Sequence, residues 1–129
     1  MILDVQQRHP APDVTVLEFS GRLQLGNDLG AAEGLIKRLV TQGHRNLVLD
    51  CSKLEAIDSA GLGMFLLVSA TTVRAGGQFR LAALTERVTE VLKMTRVYET
   101  LSVHPDVDAA LRSITRPDER TPPTDVDGP

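Results

Sequence analysis

The strongest chemical signal in the chain lies in seventeen residues near its middle, Leu47-Val-Leu-Asp-Cys-Ser-Lys-Leu-Glu-Ala-Ile-Asp-Ser-Ala-Gly-Leu-Gly63. An apolar strand passes through a short loop to Asp58 and Ser59, which stand at the start of a helix. The first turn of a helix has unpaired backbone N–H groups and the positive end of the macrodipole, so it favours an anion. A serine placed there can carry a phosphate without unfolding its helix, adding about −1.5 to −2 charges at neutral pH. Beside the Asp58 carboxylate, that charge would change what can dock. Asp and Ser are also favoured caps, and Gly61 and Gly63 permit close packing of a first turn, so capping alone accounts for the same four residues.

Other chemistries fit less well. A nucleophile elbow needs Gly-x-Ser-x-Gly, but in Ile57-Asp58-Ser59-Ala60-Gly61 a β-branched residue replaces the first glycine, which counts against a small serine hydrolase using Ser59. Gly61-Leu62-Gly63 lacks the third glycine of a dinucleotide fingerprint, and no Gly-x-x-x-x-Gly-Lys-Ser/Thr occurs, so no nucleotide cofactor is expected. His9, His44 and His104 fall in three separate segments with no acidic partner at ligand spacing; they are assigned no function and no metal is expected. Phe19, Phe65 and Phe79 follow core patterns, and Cys51, inside an apolar run, reads as a small buried hydrophobe. The chain is expected not to be an enzyme.

The elements that must position Asp58 and Ser59 alternate between hydrophobic periods of 2 and 3.6, the pattern of an α/β domain. Strands are predicted over 2–7 and 14–20, forming an antiparallel hairpin across the proline-bearing link 9–13. A helix follows over 27–42, with Leu29, Ala32, Ile36, Leu39 and Val40 at helical spacing and Gly43 as its stop. The run 46–51 reads as a central strand. A second helix over 60–75 places Leu62, Phe65, Leu66, Ser69 and Val73 on one stripe, widened by Met64, Leu67 and Val68, and is expected to be the most buried helix. A strand over 78–83, a helix from the cap Thr85 to about Tyr98 with Val88, Val91, Leu92 and Thr95 inward, a short strand over 101–104 and a helix over 106–114 complete the order β-β-α-β-α-β-α-β-α. Right-handed crossovers tend to collect consecutive helices of such a sheet on one face.

Composition narrows the function classes. The 129 residues suit one domain with its own core; 14 Lys plus Arg against 17 Asp plus Glu give a net charge of −3, which argues against nucleic acid as a partner. One cysteine cannot make an intramolecular disulfide, Asp4 stands where a signal peptide needs positive charge, and the nearly uncharged stretch 59–73 falls short of the ~20 residues that cross a bilayer. A cytoplasmic protein away from the membrane is expected. Residues 116–129 hold four of the seven prolines and one aliphatic residue, Val126, and read as a disordered acidic tail after a domain spanning 1–115. The tail's two bases and four acids leave residues 1–115 near −1.

Val48-Leu-Asp-Cys-Ser, Ile57-Asp-Ser-Ala-Gly-Leu-Gly63, Gly76-Gly77 before a strand, and Leu84-Thr-Glu-Arg-Val with Val91-Leu-Lys-Met resemble, in that order, the bacterial anti-sigma-factor antagonists of the STAS domain family. The likeness covers residues 2 to about 113 and implies a mixed sheet of four to five strands with about four helices. It also implies that Ser59 is phosphorylated by a cognate anti-sigma factor that is a serine kinase, and that the unphosphorylated protein binds this partner and frees the sigma factor. The binding face implied comprises Asp58, Ser59, Ala60, Gly61, Leu62 and Gly63 with the neighbouring loop around Arg22 to Asn27, in which Arg22, Leu23 and Gln24 are singled out. Two positions depart from the family pattern: Gln24 replaces an Asp that helps hold the partner, and Arg96-Val97 replaces a small-residue turn. STAS domains also serve as scaffold modules and transporter subunits, in which Ser59 would be a helix cap only.

Overall fold

A computed structural model of the protein describes residues 3–114. The predicted tail over 116–129 lies outside the described residues. Five strands form one sheet in the order β1-β2-β3-β4-β5: β1 (Leu3–Ala11) runs antiparallel to β2 (Val14–Leu23), which pairs in parallel with β3 (Asn46–Ile57), and β4 (Gln78–Ala82) and β5 (Val103–His104) continue in parallel. Four helices, α1 (Asn27–Thr41), α2 (Ser59–Arg74), α3 (Glu86–Met94) and α4 (Val107–Ser113), complete the α/β domain.

The first halves of β2 and β3 are covered on both faces, which is why 14–17 and 46–49 are buried without alternation. Leu17, Phe19, Leu47, Leu49 and Cys51 join α1, α2 and α3 in the larger core, whereas Val14, Val16 and Val48 meet Ala110 and Ile114 at α4 on the other face. Successive crossovers between strands running one way place α1–α3 together. α4 is fastened from behind: the half-buried Arg80 guanidinium donates to Ser113 Oγ at 2.8 Å and to Gln78 Oε1 at 2.8 Å.

Several element limits differ from those predicted. β1 continues past Pro10 to Ala11, with a register break between Arg8 and Ala11. An edge strand tolerates proline because its outer N–H groups have no ladder partner to lose. β3 does not stop at Cys51 but reaches Ile57, so a strand occupies the expected loop. Buried Leu54 and Ile57 hold this second half in the sheet, while the breaks in its pairing with β2 around Ser20 and Arg22 scramble the alternation that would have revealed it. α3 ends at Met94, followed by a 3₁₀ turn over Tyr98–Thr100; the positive φ of 62° at Arg96 stops it, and Thr95 is exposed rather than inward. β5 is reduced to two residues.

The face of α2 also departs from expectation. Gly61, Leu62, Met64, Phe65, Val68 and Thr72 are buried, whereas Leu66, Leu67 and Val73 are 41%, 38% and 64% exposed. A helix apolar nearly all round leaves its rotation undecided by sequence. Here Phe65, packed 6.4 Å from the Phe79 ring of β4, and Gly61, pressed onto Leu23 of β2, set that rotation.

Candidate functional site

The parallel pairing of Arg22 with Ala56 and of Leu23 with Ile57 brings the ends of β2 and β3 side by side, so the chain leaving β2 passes the start of α2. Asp58 joins the two. Its Oδ1 accepts from the Gly61 amide at 2.9 Å, capping α2, and its Oδ2 accepts from the Leu25 amide at 3.0 Å. The Asp58 amide in turn donates to the Leu23 carbonyl at 3.3 Å. Both carboxylate oxygens therefore have backbone donors from different segments, and the Asp58 side chain locks the β2–α1 loop onto the α2 N-terminus.

Electrostatics follow from this geometry. The Leu25 amide, with those of Gly61 and Ala60, holds the Asp58 carboxyl below its ordinary pKa, against an opposing push from partial burial. Asp58 is a fixed negative charge at neutral pH. Ser59 is the first residue of α2 and is exposed to solvent. Two of the three histidines bond elsewhere: His9 Nδ1 lies 3.0 Å from Thr15 Oγ1 and His104 Nε2 lies 3.0 Å from Ser102 Oγ. The arrangement around Ser59 offers an accessible hydroxyl at a helix N-terminus beside a clamped carboxylate. Such a hydroxyl can take up a phosphoryl group when a partner enzyme supplies the general base.

The nine residues singled out by sequence are brought to one corner of the molecule, but they do different things there. Arg22, Ser59 and Gly63 are exposed, and Gln24, Asp58 and Ala60 are half-buried. Leu23, Gly61 and Leu62 are buried, so they position the corner from beneath and do not line its surface. A Cβ on Gly61 would collide with the Leu23 carbonyl and stand 2.7 Å from Ile57 Cγ1, whereas one on Gly63 would meet nothing within 4 Å. Of these two, only Gly61 is required by close approach. Leu25 lies within the loop over 22–27 that the sequence placed at this face but was not singled out there; it is 81% exposed and its amide holds Asp58. Its sole sequence signal was a large apolar residue between a strand end and Gly26-Asn27, a loop where apolar residues are otherwise scarce.

Cys51 is fully buried, and burial with the nearby Asp50 charge pushes its thiol pKa far up, so it stays protonated. Among the described residues no group of three or more His, Cys, Asp or Glu could hold a metal ion, and no helix is long and apolar enough to cross a membrane.

Comparison with known proteins places this geometry in context. A family profile described as the STAS domain matches residues 4–110. A candidate anti-sigma factor antagonist of Thermotoga neapolitana is 26% identical over 102 residues, covering 79% of this chain and 90% of that protein. Among solved structures, the anti-sigma factor antagonist SpoIIAA in its unphosphorylated form superposes with a TM-score of 0.72 at 17% identity, over 88% of this chain and 100% of that one. The phosphorylated form of SpoIIAA, described as a Bacillus cell fate determinant, gives 0.68 at 14% identity, over 84% and 97%. A sulfate transporter family protein of Wolinella succinogenes shares the fold too, with a TM-score of 0.64 at 17% identity over 79% of this chain and 84% of that one.

Proposed function

This chain belongs to the STAS domain family, and on that premise we propose that it is a cytoplasmic, non-catalytic anti-sigma factor antagonist, switched off by phosphorylation of Ser59. The observation that carries the proposal is the exposed Ser59 hydroxyl at the start of α2, beside an Asp58 carboxylate held by the Leu25 and Gly61 amides. The partner is an anti-sigma factor that is itself a serine kinase, and it engages Ser59, Ala60 and Gly63 together with Arg22 and Gln24. The chain needs no cofactor or metal for this role; ATP belongs to the kinase.

The switch works through charge at the surface. A phosphate at the first position of α2 agrees with the helix dipole, so the fold tolerates it. Asp58 is already committed as a carboxylate to two amides, so it cannot turn away from the new charge. A partner surface packed against Ser59 would meet about −1.5 to −2 added charges on a domain whose net charge is near −1. Like charges across an interface cost several kcal/mol, and about 1.4 kcal/mol is already a tenfold loss of affinity.

The test is intact-mass analysis after incubation with ATP and candidate partner kinases, combined with a binding assay. Wild type should gain one phosphate and Ser59→Ala none, while Ser59→Glu should lose the complex that Ser59→Ala keeps. Binding indifferent to both substitutions would refute the switch and leave Ser59 as the start of a helix in a scaffold or transporter-associated STAS module.

A further inference from the structure

Two histidines that the proposed function leaves unused face each other beyond the other end of β3. His9 lies on the edge strand β1, and His44 follows α1 directly before β3, whereas Ser59 follows the C-terminal end of the same strand. The ring centroids are 4.9 Å apart and the planes are inclined at 42°. Two imidazoles binding one tetrahedral ion through nitrogens at about 2.0–2.1 Å have centroids about 5 Å apart, so the pair has the spacing of a shared ion. A plain ring contact falls in the same range, and two further features separate the possibilities.

The first is the hydrogen bond on His9. Its Nδ1 lies 3.0 Å from the hydroxyl of Thr15, a fully buried residue of β2. Ligating histidines are oriented by such an outer hydrogen bond, and when His9 donates its Nδ1–H to the Thr15 hydroxyl its Nε2 is left for the ion. The second is an orphan atom. His44 Nδ1 is sequestered from solvent and has no hydrogen-bond partner, which is true of no other buried side-chain nitrogen or oxygen singled out among the described residues. Buried polar atoms are almost always paired, and an unpaired one points to an ion or a water that completes it.

We propose that His9 and His44 clip one divalent transition-metal ion of the borderline-soft class that imidazole favours, such as Zn²⁺ or Ni²⁺, with water filling the remaining positions. The ion ties the β1–β2 hairpin to the α1–β3 corner, so it stabilises the folded chain in proportion to occupancy. This reading does not depend on the role of Ser59.

Calorimetric titration of the full-length, tag-free chain with ZnCl₂, and separately with NiCl₂, tests the clip. One equivalent should bind, His9→Ala and His44→Ala should each weaken binding about tenfold or more, and His104→Ala should leave it unchanged. His9 is exposed, so its removal leaves the core intact, and Zn²⁺ should raise the melting temperature of wild type but not of His9→Ala. No heat of binding at millimolar metal, or binding that survives both substitutions, overturns the proposal.

Discussion

Replacing Gly61 and Gly63 by alanine, one at a time, should move stability in opposite directions although both lie in the first two turns of α2. Alanine is the better helix former by up to about 1 kcal/mol, and that gain applies at both positions. At Gly63 the added methyl meets nothing within 4 Å, so Gly63→Ala should stabilise by about 0.5–1 kcal/mol. At Gly61 the methyl runs into the Leu23 carbonyl, with Ile57 Cγ1 at 2.7 Å and Leu23 Cγ at 3.1 Å. The carbonyl cannot swing aside, because it accepts from the Asp58 amide and belongs to a strand paired with β3. Overpacking of this kind costs about 1–3 kcal/mol, which outweighs the helical gain and makes Gly61→Ala a net loss of about 1–2 kcal/mol. The two variants should then differ by about 1.5–3 kcal/mol, or about 6–12 °C in Tm at roughly 4 °C per kcal/mol for a domain of this size. Urea unfolding with an unchanged m-value gives the free energies directly. A Gly61→Ala protein as stable as wild type would refute the close approach that seats α2 on β2, and with it the geometry assigned to the Asp58 corner.

Three further outcomes follow from the same structure. Because the folded Asp58 carboxyl has a lowered pKa, it contributes stability that is present above its unfolded value of about 3.9 and lost as pH falls through the folded one. Asp58→Asn should remove that acid-side component, and Asp58→Ala should cost about 1–2 kcal/mol at pH 7 through loss of the cap; urea unfolding from pH 3 to 7 checks both, and parallel profiles for wild type and Asp58→Asn would contradict them. Phe65→Ala should cost about 3–5 kcal/mol, whereas Leu66→Ala, on the exposed side of α2, should cost less than about 1 kcal/mol; equal losses in thermal melts would mean α2 is rotated from the face described. Cys51 should resist a thiol reagent such as dithionitrobenzoate in the native state and react only at the rate of unfolding, and prompt labelling of native protein would show that burial does not protect it.

Element order and type were legible because they depend on near neighbours in sequence. Asp58, Thr85 and Asp106 each cap a helix from within three residues, accepting from the amides of Gly61, Val88 and Ala109. Glycines at 43 and 76 supply the positive φ that closes α1 and α2. Arg96 takes that place after α3 at φ 62°, and without a glycine to mark the stop the sequence suggested a longer helix. The second half of β3 was hidden for a different reason. Ser52 and Lys53 are both exposed beside a pairing break with β2, and alternation fails as a signal wherever a strand is bulged.

Sequence alone determined that Asp58 and Ser59 would stand together at the start of a helix, there expected over 60–75, and that a family likeness would centre on both, since these features rest on contacts within a few residues. Only the tertiary structure decided that the second Asp58 oxygen holds the Leu25 amide, that Gly61 and not Gly63 is pressed against β2, and that Leu66 and Leu67 face solvent. Each of those depends on the register of β2 against β3 and on the rotation of α2. Packing sets both between segments more than thirty residues apart, which no local pattern encodes.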